Sequence, residues 1–150
     1  MRPTVSVELK LSRLLAVLAA VAAGVGCYVG VALATVWLYP TGEYSIPYGW
    51  VLYLFRRNLP YFASYLAIGM ALARYTYPRH KLCAWIAGCA VPAVILLLFG
   101  IPHWSPEPAD TFYKVRLYTT SYLPMVLALP AFILGSIAVN KLRGRPEPPP

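Results

Sequence analysis

Charge is scarce in this sequence. Of its 150 residues 12% are charged, and Asp and Glu together number five, where an ordinary soluble domain carries about a quarter charged residues. With 59% of the residues hydrophobic, a soluble fold of this size has too little polar surface to cover its core. The middle of each long apolar run also lacks Asp, Glu, Lys and His. Ion-coupled carriers and proton relays bury such groups near the membrane midplane, so their absence argues against coupled transport. The three cysteines, Cys27, Cys83 and Cys89, have neither metal-ligand spacing nor a Cys-x-x-Cys pair, so they predict no zinc site and no disulfide exchange. His80 and His103 flank the third apolar run about 35 Å apart along a helix and cannot share one iron. Glu107 and Asp110 are the only carboxylates close in sequence, and they read as loop solubility. The expectation is a noncatalytic protein without cofactor or metal.

What is present comes in blocks. Leu14 to Tyr39 runs 26 residues without a charge, and further apolar blocks cover 59–77, 82–101 and 117–139. A bilayer core of about 30 Å demands some twenty apolar residues from a helix, and these blocks do not alternate as barrel strands would. The first run is too long for a signal-peptide core, so it reads as a retained span. Pro60 is expected to open the second span at a first-turn position. The stretch before it, "GWVLYLFRRN", is too short to span and reads as a separate interfacial helix. "PRHK" makes a tight connection between the second and third spans. The fold expected is therefore all-α: one transmembrane domain, a four-helix bundle of two antiparallel hairpins with a short outer interfacial helix. Residues 144–150, rich in proline, read as a disordered cytoplasmic tail.

Net charge is +8, and its distribution gives an orientation. Arg2, Lys10, Arg13, Arg74, Arg79, Lys81, Lys141, Arg143 and Arg145 fall on one side of the expected spans. Arg56, Arg57, Lys114 and Arg116 fall on the other. The positive-inside rule then places both termini in the cytoplasm. Contact with a negative leaflet accounts for the basic balance, and no nucleic acid is expected as a partner. A bias toward Ala, Val, Arg and Pro points to a bacterial inner membrane.

Gly24-Val-Gly26-Cys-Tyr-Val-Gly30 has the look of a dinucleotide fingerprint, but that motif works only where a strand meets a helix in a water-exposed unit. Here it lies within a lipid-length run. Every fourth residue tells more: Ala22, Gly26, Gly30 and Ala34 form a small-residue row, the device by which helices approach in lipid. Similar rows occur at Ala63, Ala67 and Ala71, at Ala84 and Gly88, and at Ala131 and Gly135. They are expected either to close the bundle or, in the first helix, to meet another subunit.

Aromatic residues crowd the expected outer side. Tyr48, Trp50, Tyr53, Trp104 and Tyr113, with Arg56 and Arg57, form a candidate face for a partner or for lipid. The function expected is that of a membrane interaction protein, either an accessory subunit or an immunity-type protein. Its partners would be lipid and a membrane protein or further copies of the chain. A small oligomeric carrier or flippase for a neutral or lipid-linked substrate is the alternative.

Overall fold

The structure, a computed structural model, describes residues 4–38, 47–100, 122–142 and 144. Among the described residues there are helices and no strands. α1 spans Thr4–Leu38, α2 Pro47–Thr76, α3 His80–Phe99, α4 Leu123–Val126 and α5 Ala128–Leu142. Three segments are long and apolar enough to cross a membrane: Lys10–Ala34, His80–Phe99 and Leu123–Leu142.

Local chemistry explains the ends. A residue before proline is pushed out of the helical region. Tyr77 before Pro78 ends α2 at Thr76 in this way. α3 closes at Gly100, whose φ of 74° is open to glycine at little cost, and its N–H donates to the Leu96 carbonyl at 2.9 Å. The last span is interrupted at Leu127. Pro130 has no N–H to give the Val126 carbonyl, so the ladder loses a rung there.

One expectation needs correction. The interfacial helix and the second span are one continuous helix of 30 residues with Pro60 inside it. A proline within a helix costs one hydrogen bond, here to the Arg56 carbonyl, and need not end it. α2 is not among the segments apolar enough to span by composition: Arg56 and Arg74 lower its hydropathy at exposed positions, and Asn58, Tyr61, Tyr65 and Thr76 at buried ones.

α2 and α3 touch each other, and both pack against α1 on one side and α5 on the other. The packing is uneven. Of the apolar window in α1 17% is buried, against 50% for Leu123–Leu142. Tyr61, Tyr65, Val91, Ile95 and Phe132 fill the centre. Three buried polar side chains turn back on their own helices: Thr76 Oγ1 donates to the Leu72 carbonyl at 2.9 Å, Ser136 Oγ to Ile133 at 2.8 Å, and Asn140 Nδ2 to Ser136 at 2.8 Å. Such local bonds let a polar residue sit inside an apolar bundle.

Candidate functional site

Glycine marks the closest helix contacts. A Cβ built on Gly69 would stand 2.6 Å from the Phe132 carbonyl oxygen, and one on Gly135 would run into the Leu66 carbonyl oxygen. On Gly88 it would meet Leu129 Cα at 2.9 Å, and on Gly24 it would meet Val91 Cγ2 at 2.7 Å. Backbone touches backbone along the α2–α5 and α3–α5 seams. Small residues permit such close approach of two backbones.

Of the expected rows, Gly88 and Gly135 lie in these seams, with Ala84 and Ala131 also buried. The longest row does not. Ala22, Gly26, Gly30 and Ala34 are exposed, and a Cβ on Gly26 or Gly30 would find nothing within 4 Å. The row lies two positions on from the buried pair Ala20 and Gly24, hence about 200° around the helix and opposite the bundle. Ala63, Ala67 and Ala71 are likewise exposed, two positions on from Tyr61, Tyr65 and Gly69. Among the described residues these two rows close nothing. Gly24 and Gly69, which do, were not expected to; for Gly69 the available signal was a glycine continuing the four-residue spacing of Tyr61 and Tyr65.

Elsewhere on α1 and on the other helices the exposed faces carry bulk. Leu11, Leu14, Leu15 and Leu18 project from the first half of α1. Leu82, Trp85, Ile86, Leu97 and Phe99 project from α3, and Leu134, Ile137 and Leu142 from α5. Each glycine in a helix interior costs about 1 kcal/mol relative to alanine. Gly26 and Gly30 incur that cost with no contact among the described residues to offset it.

A second feature lies between the second half of α1 and the middle of α2. Tyr28 packs on Tyr61 at a ring-centroid distance of 5.7 Å and on Phe99 of α3 at 6.4 Å. One turn deeper, Tyr65 packs on Phe132 at 6.0 Å. Arg57, Tyr61 and Tyr65 follow one another at four-residue spacing, so they descend one face of α2 into the bundle. Arg57 is half-buried. Tyr65 is fully buried, and its hydroxyl has no hydrogen-bond partner. Phenylalanine would pack as well without that hydroxyl, whose burial unmatched costs about 1–3 kcal/mol.

Arg56, beside this column, is exposed. Tyr48, Trp50 and Tyr53 lie in the first turns of α2, with their side chains outside the described set, and Trp104 and Tyr113 lie outside the described residues altogether. At the other end, His80 is buried and stacks on Tyr77 at 5.9 Å. Cys27 is half-buried, Cys83 buried and Cys89 exposed, and all three are free thiols. No family model, curated protein or solved structure matches the chain.

Proposed function

We propose that this chain is a noncatalytic subunit of a membrane assembly. In this reading α1, α2, α3 and α4–α5 cross a bacterial inner membrane as two antiparallel hairpins with both termini in the cytoplasm. α1 binds a helix of another membrane protein through Ala22, Gly26, Gly30 and Ala34. One observation carries the reading: two glycines stand mid-helix, facing away from the bundle, with open space where their side chains would be. The bulk on α3, α5 and the first half of α1 fits a boundary with lipid, while the small row leaves a channel that a second backbone fills. The low burial of α1 supports the same assignment, since a helix held loosely by its own chain has a face to offer.

Affinity purification in mild detergent tests this. A stoichiometric second protein is expected with the native chain and is lost with Gly30→Leu. A native chain that purifies alone, or a Gly30→Leu chain that keeps its partner, would end the proposal.

The helix break at Leu127 favours a second reading, a small oligomeric carrier or flippase for a neutral or lipid-linked substrate. Interrupted helices present free carbonyls in transporters, and here that of Val126 is released. A homo-oligomer with bound lipid and no foreign partner would select this alternative.

A further inference from the structure

The starts of α1 and α3 meet at the foot of one seam, and both carry positive charge. Gly24 stands against Val91 and Tyr28 against Phe99, so α1 and α3 run side by side in the same direction. About three turns before Gly24, on the same face of α1, stands Arg13; about three turns before Val91, on the same face of α3, stands His80. Ala16, Val17 and Ala20 keep α1 against the core down to this level. Arg13 is half-buried there, and His80 is buried with exposed Arg79 and Lys81 on either side of it. Lys10, one turn before Arg13, and Arg74, in the last turn of α2, add to the same end. Glu8 is the one acid among the described residues.

Like charges gathered beside a low-dielectric interior repel more than in water. The repulsion falls on the helix least able to resist it, since 17% of the apolar window of α1 is buried, less than in either of the other two apolar windows. An anion between the two starts turns that repulsion into attraction. At the end of a membrane bundle the anion at hand is lipid phosphate, two of whose oxygens a guanidinium engages at once.

We propose that the phosphate of one acidic phospholipid bridges Arg13 of α1 and Arg79 at the start of α3, with Lys81 beside it, and so ties α1 to the bundle. The assignment rests on the membrane reading above. The excess of cations selects a net-negative headgroup over a zwitterionic one, whose own cation they repel.

Native mass spectrometry and thermal unfolding of the detergent-purified chain decide the matter, with dioleoyl phosphatidylglycerol, dioleoyl phosphatidylcholine or inorganic phosphate added. One phosphatidylglycerol per chain is expected to be retained and to raise the melting temperature. Phosphatidylcholine and millimolar inorganic phosphate are expected to do neither. Arg13→Gln lowers retention about tenfold or more, as loss of a hydrogen-bonded charge does, yet the lipid-free chain melts no lower, because a repelling charge is gone. Arg79→Gln behaves alike, while Arg56→Gln, toward the other end of α2, keeps the full effect. Equal retention of phosphatidylcholine, a shift with inorganic phosphate, or an Arg13→Gln chain that keeps its lipid would overturn the assignment. A chain that stays monodisperse without any detergent would instead overturn the membrane reading beneath it.

Discussion

The α2–α5 seam and the outward face of α1 are built from the same small residues, and the fold uses them in opposite ways. At the seam, Gly69 and Gly135 bring carbonyl oxygens of the facing helix to where a side chain would begin. On α1, Gly26 and Gly30 meet nothing. A small-residue row is therefore permission for close approach rather than a statement of what approaches. One row has its contact partner in the facing helix; the other meets none among the described residues.

Substitution separates the two. Gly135→Leu should have the largest effect, because the obstacle is backbone, which cannot rotate aside. A loss of about 3 kcal/mol or more is expected, at or beyond the upper end of overpacking costs, and thermal unfolding in mild detergent would read it as collapse of the fold. Gly24→Leu comes next. Its main obstacle is a Val91 methyl, which can move, so the cost should be about 1–3 kcal/mol by the same measurement. Gly26→Leu and Gly30→Leu should leave the isolated chain as stable as before, or steadier by up to about 1 kcal/mol each from helix propensity. Their effect falls on association, read as loss of the partner in pull-down. A fall in monomer stability for either would mean that α1 is turned the other way. Asn140→Ala should do least, about 0.5–1.5 kcal/mol, for it removes one bond within a single helix.

The two faces also show how far the primary structure could be read. Periodicity located the rows at Ala22–Ala34 and Ala63–Ala71, because residues four apart share a helix face whatever the helix packs against. It could not say that these faces turn away, since orientation depends on the neighbouring helices. Nor could it say that the bundle encloses Tyr61 and Tyr65. α2 shows the same difficulty in composition: its tyrosines, prolines and arginines weaken the apolar signal, and only packing reveals that neighbours cover the polar groups. Pro60 was misleading for a different reason. A proline fits the first turn of a helix and is also tolerated further in, and the choice turns on the residues before it continuing as helix.

Length, apolarity and the places where helices stop were determined by the chain alone. These depend on contacts between near neighbours: a proline beyond Thr76, a glycine able to take a positive φ at position 100. Which glycines became seams, which row was left uncovered, and which phenol was sealed without a partner were decided by tertiary packing. A helix has a period but no knowledge of its inside, and that is set when four such faces compete for one core.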